Sequence, residues 1–235
     1  MKLLTFYSDD YKKLYDDFFL PSYNKHLKDD FELIVKHVDN NSTYVQDNFF
    51  LNLTYEKLLH ITSTIEVPDY DNLTEEEISN VEEQIMVFSD CDVQFFKNFA
   101  NDLKQELGNY NIKFQDNIIE MCGGFFICKE NEETLHFFKI LLNKIGENVI
   151  NGELKDNISE QSLLNDMIAE GKYNKISKLD KDKYFSVVAS NHGLKKWIGE
   201  VFNVPSNIVL HHANWTDGVT NKYNMLDYVK KQIEL

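Results

Sequence analysis

Ile85-Met86-Val87-Phe88-Ser89-Asp90-Cys91-Asp92-Val93-Gln94-Phe95-Phe96 decides how the chain reads. Four apolar residues in succession, too few for a helix, predict a strand buried on both faces. The run then breaks into two carboxylates at i and i+2. A core does not stabilise adjacent anions, so the pair is expected where the strand leaves its sheet. In open α/β sheets that edge is where ligands bind. Two hard oxygen ligands there suit Mg2+ or Mn2+, ions commonly shared with a diphosphate. The same spacing also fits turn and capping carboxylates in an acidic protein.

Upstream, residues 2–7 predict a first strand, and Ser8-Asp9-Asp10 can cap a helix carrying Tyr11, Leu14, Tyr15, Phe18 and Phe19 at helical spacing and ending at Pro21. Residues 31–38 predict a second strand, so the chain opens strand–helix–strand, the beginning of an α/β sheet. A helix is expected over 54–65, followed by an acidic stretch over 69–83 that reads as a loop with a short solvated helix.

Downstream, 112–114 predicts a short strand, and 121–128 a glycine turn feeding a buried strand. An amphipathic helix follows, capped by Asn131 and stopped by Gly146, and another runs over 159–170. A strand-like piece at 175–179, a short helix through Leu194, Trp197, Ile198 and Val201, a strand at 208–210 and a C-terminal helix around Leu226, Val229 and Ile233 complete the chain. With no repeat and no Gly/Ser linker, one domain over 1–235 is expected, as 235 residues allow.

The net charge of −15, with 24 basic residues that are all lysine, argues against a nucleic-acid partner. It also sets a constraint: a phosphorylated ligand needs a local neutraliser here, and a divalent cation would serve. Cys91, Cys122 and Cys128 form an odd set without a C-x-x-C pair, which predicts reduced thiols and a cytoplasmic location. Residues 1–7 turn polar at Ser8, too early for a signal peptide, and no apolar run reaches membrane-spanning length. Asn52 and Asn214 begin sequons expected to stay unmodified.

A second candidate site is His211-His212-Ala213-Asn214-Trp215-Thr216-Asp217-Gly218, again just after a buried run. In an extended segment neighbouring side chains oppose each other, so one histidine faces a shared site and the other packs. An imidazole joining two carboxylates moves the metal preference towards Mn2+. Gly123-Gly124 permits close backbone approach to a ligand or makes a turn. Glu160-Gln161 opens a helix, with Asn157-x-x-Glu160 fitting a capping box and a sugar-facing cleft as the other reading. Lys57 and Lys222 fall near predicted helix starts, where the dipole disfavours a cation and a diphosphate would recruit one. Tyr7 and Ser8, at the end of the first strand, could hold a base or ribose.

The order of these parts resembles the metal-dependent nucleotide-sugar transferases of the GT-A fold, an α/β fold with a mixed central sheet flanked by helices. The chain looks closest to the nucleotide-diphospho-sugar transferase group that includes glycosyltransferase family 77. The resemblance is carried by Met86 to Val93, Gly123-Gly124-Phe125-Phe126, Glu160-Gln161-Ser162-Leu163-Leu164-Asn165, and His212-Ala213-Asn214 with Asn221-Lys222. It implies a nucleotide-binding half over 1–120 and a sugar and acceptor half over 121–235. Asp90 would touch ribose and metal, with Asp92 and His212 as the other metal ligands. Lys222 would contact the diphosphate, and Gly123-Gly124 would line the donor sugar. Glu160 and Gln161 would face the reacting sugar or the acceptor, and Lys57 would stand near the donor. A UDP-sugar donor, Mn2+ or Mg2+, a glycan or protein hydroxyl acceptor and retention of configuration follow from the same resemblance. Two departures stand out: the family often has Asp where Glu160 stands, and its Golgi members carry an N-terminal anchor. One rival reading, a metal-dependent phosphohydrolase or nucleotidyltransferase, uses the same Asp/Asp/His set; another is a non-catalytic sugar-nucleotide-binding protein, against which the intact Asp90, Asp92 and His212 speak. The acceptor side is expected around Trp197 and residues 181–199, since aromatic rings stack on sugar faces.

Overall fold

The computed structural model describes residues 1–39, 49–69, 83–151, 159–186 and 196–234. Its centre is the predicted strand. Residues Ile85–Asp90 (β3) lie in a six-stranded sheet between Lys2–Ser8 (β1) and Met121–Lys129 (β6). The order is completed by Glu32–Val38 (β2) outside β1, and by Ile112–Asp116 (β5) and Ile176–Lys178 (β7) beyond β6. β1 runs parallel to both β2 and β3, and β5 to β7, whereas β6 is antiparallel to β3 and β5. The sheet is mixed, as expected.

Alternation along the central strands feeds two cores. Leu3, Val87, Phe125 and Ile127 point to one face, while Leu4, Met86, Phe88 and Phe126 point to the other. The first face is covered by the helical run 9–26 (α1) and the short helix Leu103–Leu107 (α3). The second is covered by Phe49–Thr64 (α2), Glu132–Asn151 (α4) and Glu160–Ala169 (α5). Stacked rings of Phe88, Phe126 and Phe138, with centroids 5.2 and 4.9 Å apart, tie β3 through β6 to α4. A smaller sheet of Val93–Phe95 (β4), Leu210–His212 (β9) and Tyr184–Ser186 (β8) packs with the C-terminal helix Gly218–Ile233 (α6) around a third apolar cluster.

Several local expectations are corrected. α1 does not end at Pro21: Tyr15–Phe19 forms a π turn in which the Leu20 amide reaches back to the Tyr15 carbonyl, and Leu20–His26 continues as α-helix. The wider turn makes room for a proline ring, which would otherwise press on the preceding carbonyls. Ser8 makes no side-chain capping bond. α2 begins at Phe49 rather than at 54, so Lys57 sits in mid-helix. Asn131 caps α4 as expected, its Oδ1 accepting from the Thr134 amide at 2.9 Å, but Gly146 does not stop that helix. α5 is capped by Ser159, reciprocally with Ser162; Asn157 and residues 70–82 lie outside the described residues. Trp197, Ile198 and Val201 form no helix: Trp197 is buried, but Ile198 and Val201 are 76% and 83% exposed, so their spacing marks no buried face. Gly123 and Gly124 stand inside β6 rather than in a turn, and β9 includes both histidines.

Candidate active site at the carboxyl edge of the sheet

Two strand ends and one cross-pairing assemble the acidic centre. Asp90 is the last residue of β3, and Cys91-Asp92 turns the chain into β4. β4 pairs antiparallel with β9, placing Val93 opposite His212, while the Ala213 amide donates to the Asp92 carbonyl at 2.9 Å. Two distant parts of the sequence thereby bring one ligand atom each from Asp90, Asp92 and His212 to within 4.8 Å of one another. His211 points the other way, as alternation requires. It is fully buried, its ring 5.7 Å from that of Phe185, and burial lowers its pKa to about 3, so it is neutral.

The ring of His212 is held on both sides. Nε2 lies 3.3 Å from Asp92 Oδ1, and Nδ1 lies 2.7 Å from Gln115 Oε1. Burial opposes a charge on this ring, but Asp92 outweighs it and raises the pKa to about 10. Burial likewise disfavours the Asp92 carboxylate, yet Lys222 and His212 hold it well below the usual carboxylate range. Lys222 bonds Asp92 Oδ2 and donates to the Ala213 carbonyl at 2.9 Å. Asp90 differs: burial, reinforced by the neighbouring Asp92, raises its pKa against the pull of Lys57.

Lys57 forms a second buried node. Its ammonium lies 3.0 Å from Glu160 Oε2 and 3.3 Å from Asp90 Oδ1, donates to the Gly123 carbonyl at 2.9 Å, and sits 4.8 Å from the Phe88 ring centroid. Burial disfavours this charge, but Asp90 and Glu160 reverse the balance and raise the pKa. Burial raises Glu160 itself, with Lys57 opposing.

The paired glycines are what let these nodes close. A Cβ on Gly124 would stand 2.3 Å from His212 Cε1 and 2.7 Å from Asp90 Oδ2, and one on Gly123 would stand 2.6 Å from Glu160 Oε1. Neither glycine needs an unusual backbone here; each leaves space that a functional side chain occupies.

A cavity of about 340 Å³ opens over the centre. Tyr7, Ser8, Tyr11 and Thr54 line one part of it, and Lys57, Asp90, Asp92, Glu160 and Lys222 the other. The Tyr7 ring stacks on Tyr15 at 4.5 Å, and Ser8 Oγ is buried without a hydrogen-bond partner among the described residues. Of the candidates, Tyr7, Ser8, Lys57, Asp90, Asp92, Glu160 and Lys222 therefore line one cavity, with Gly123, Gly124 and His212 directly behind them. Gln161 is turned away: its amide donates to Glu120. Sequence reasoning gave no part to Gln115, nor to Asn165, which exchanges hydrogen bonds of 2.8 and 2.9 Å with the Met121 backbone and so pins α5 beside β6.

The donor set fits a divalent cation: two carboxylates and an imidazole converge, and Gly124 leaves room for them. Oxygen ligands alone would suit Mg2+; the nitrogen ligand shifts the match towards Mn2+.

Known structures share the architecture. A glycosyltransferase involved in the glycosylation of the major capsid of PBCV-1 superposes with a TM-score of 0.59, covering 96% of this chain and 98% of its own, at 10% identity. The apo-form glycosyltransferase GlyE of Streptococcus pneumoniae TIGR4 gives a TM-score of 0.51 over 99% of this chain and 63% of its own, at 9% identity. No curated protein matches the sequence. Residues 84–226, which contain Asp90, Asp92, Gly123, Gly124, Glu160, His212 and Lys222, match the profile of one family, and by that match the chain belongs to the nucleotide-diphospho-sugar transferases.

Proposed function

We propose that the protein is a Mn2+-dependent glycosyltransferase that moves a hexosyl or pentosyl group from a UDP-sugar to a hydroxyl of a glycan or protein, with retention, and that it stands near glycosyltransferase family 77. The observation that carries this reading is the convergence of Asp90 and Asp92, which line the cavity, with His212 just behind them. Asp90, Asp92 and His212 hold the metal, which when bound supplies Lewis acidity to the departing diphosphate. Tyr7 and Ser8 take the base and ribose, with Asp90 reaching the ribose as well. Lys222 donates to diphosphate oxygens as their charge grows, an interaction strongest in the transition state.

Gly123 and Gly124 let the donor sugar approach the β6 backbone. Glu160, ion-paired to Lys57, faces the sugar, and Gln161 joins it once its bond to Glu120 is released. Retaining glycosidases place two carboxylates about 5 Å apart, one of them a nucleophile. No second carboxylate here must be a nucleophile, and in this reading the acceptor hydroxyl attacks from the face the diphosphate leaves, giving its proton to the leaving group. In this reading the chain is one domain. Residues 1–120 supply the nucleotide side and residues 121–235 the sugar side, with the acceptor approaching near Trp197. Cys91, Cys122 and Cys128 are free and buried, and no described helix is long and apolar enough to cross a membrane. The thiols fit a reducing compartment, and we place the enzyme in the cytoplasm.

Calorimetric titration with UDP and with GDP, with and without Mn2+, on wild type and Asp92→Ala tests this. UDP is expected to bind only with Mn2+, and the variant to lose that binding. If neither nucleotide binds with metal present, the reading fails. Release of phosphate or pyrophosphate in place of nucleoside diphosphate would favour the phosphohydrolase or nucleotidyltransferase.

A further inference from the structure

Behind the imidazole, Gln115 is fully buried at a break in its own strand. The β5–β6 register shifts between Phe114 and Gln115, an irregularity of the kind that re-aims a side chain beside a site. The Gln115 amide nitrogen donates to the Tyr184 and Phe185 carbonyls of β8, at 3.0 and 3.2 Å. Both partners accept only, so the amide can be seated one way round, and Oε1 is left facing His212 Nδ1 at 2.7 Å. An oxygen there requires a proton on Nδ1. The opposite tautomer would set two acceptors against each other in a buried place. Nε2, the nitrogen that faces Asp92 at 3.3 Å, is thereby left as the one able to carry a free lone pair.

Gln115 also spans the two sheets. It belongs to β5 of the larger sheet, which presents Asp90 from β3, and it bonds β8 and β9 of the smaller one, which presents His212. One side chain thus couples the orientation of the nitrogen ligand to the spacing between the elements bearing the ligands.

We infer that Gln115 is a positioning residue of the metal centre, fixing His212 in the Nδ1–H tautomer with Nε2 directed at the cation. The inference rests on Asp90, Asp92 and His212 being metal ligands. Partners of this kind typically change metal affinity by about 10- to 100-fold when removed.

The test has two arms. In wild type loaded with Zn2+, a two-bond 1H–15N correlation spectrum, with His212 assigned by comparison with His212→Gln, is expected to show a protonated Nδ1 and a metal-bound Nε2. The reverse pattern overturns the inference, whatever any variant does. In the second arm Mn2+ affinity is read by electron paramagnetic resonance titration. Gln115→Met, close in volume but without an acceptor, is expected to bind Mn2+ about 10- to 100-fold more weakly. Gln115→Glu loses both β8 bonds but keeps an acceptor at Nδ1, and is expected to retain an affinity nearer wild type. Equal losses in the two variants would assign Gln115 to sheet packing alone, and unchanged affinity in Gln115→Met would remove its role; either overturns the inference. Wild type that binds no Mn2+ refutes instead the metal reading on which the inference stands.

Discussion

Replacing Gly124 by alanine tests whether the bare backbone of β6 is a requirement of the site. The added carbon would lie 2.3 Å from His212 Cε1, 3.0 Å from its Nε2 and 2.7 Å from Asp90 Oδ2. Ordinary carbon contact begins near ~3.5 Å, so the imidazole must retreat by roughly 1 Å. It has nowhere to go. Its far nitrogen is anchored to Gln115, Asp92 stands on its near side, and β6 is bonded to β3 and β5 along both edges. Overpacking of this kind costs about 1–3 kcal/mol, and metal sites tolerate only about 0.2 Å of ligand displacement. Gly124→Ala is therefore expected to lose about 1–3 kcal/mol in urea unfolding and, by the same energy, about 5- to 150-fold in Mn2+-supported UDP affinity by calorimetry. Affinity within about threefold of wild type, in a variant of unchanged stability, would refute the steric argument.

Gly146→Ala is the matching control: the new carbon meets only Tyr55 at 3.4 Å inside α4, so stability should rise by about 0.5–1 kcal/mol with nucleotide binding unchanged, both measurable in the same assays. Ile118 holds φ 70° although β-branched, and is 46% exposed, so Ile118→Gly relieves left-handed strain at little cost in packing; an increase of up to about 1 kcal/mol in unfolding free energy is expected, and a decrease would count against the strain. Burial, aided by Lys36, lowers the pKa of His60 below its ordinary 6.5. The unfolded chain therefore takes up a proton below pH 6.5 that the folded chain refuses, and stability falls as pH drops from there, by at most about 1.4 kcal/mol per pH unit; His60→Gln should show a shallower loss between pH 7 and 5 in chemical denaturation.

The parts legible in the sequence are those in which local pattern and tertiary demand coincide. β3 is apolar from Ile85 to Phe88 because both faces are covered there, and an anion pair has no place except at the edge where the strand ends. Alternation predicts that His211 and His212 face opposite ways, and β9 obeys it, while the choice of His212 comes from the resemblance. Gly123-Gly124 announces close approach, but not what approaches: a side chain from β9 and another from α5 supply the crowding, and both are remote in sequence. Gln115 was invisible because its aim depends on a register shift that leaves no mark in Ile112-Lys113-Phe114-Gln115-Asp116. Lys57 was misplaced because α2 starts earlier than its apolar spacing implies, and its position follows from partners on β3, β6 and α5. At α5, Asn157 and Ser159 are both good capping types, and the geometry of Ser159 with Ser162 decides between them.

Lys57 is buried and Lys222 part-buried, and their partners separate their tasks. An ammonium has three N–H groups. Lys57 donates to the Gly123 carbonyl and pairs its charge with Glu160 at 3.0 Å and Asp90 at 3.3 Å, so that charge is balanced within the protein. Lys222 spends two, on Asp92 and the Ala213 carbonyl, and keeps one uncommitted among the described residues while lining the cavity. Lys57→Met strands the buried Glu160 and leaves the part-exposed Asp90 unpaired; removing one partner of a buried pair typically costs about 3–5 kcal/mol, and adding Glu160→Gln should restore part of it. Lys222→Met leaves Asp92 with His212 as a partner, so it should unfold less readily than Lys57→Met. On the proposed reading it also removes a charge-assisted bond to the diphosphate, worth about 1.5–3 kcal/mol, or roughly 10- to 150-fold in Mn2+-supported UDP affinity. Urea unfolding and calorimetry on the same two proteins should thus rank them in opposite orders. If Lys57→Met loses the nucleotide while keeping its stability, and Lys222→Met does the reverse, the partners have been read the wrong way round and the diphosphate belongs to Lys57.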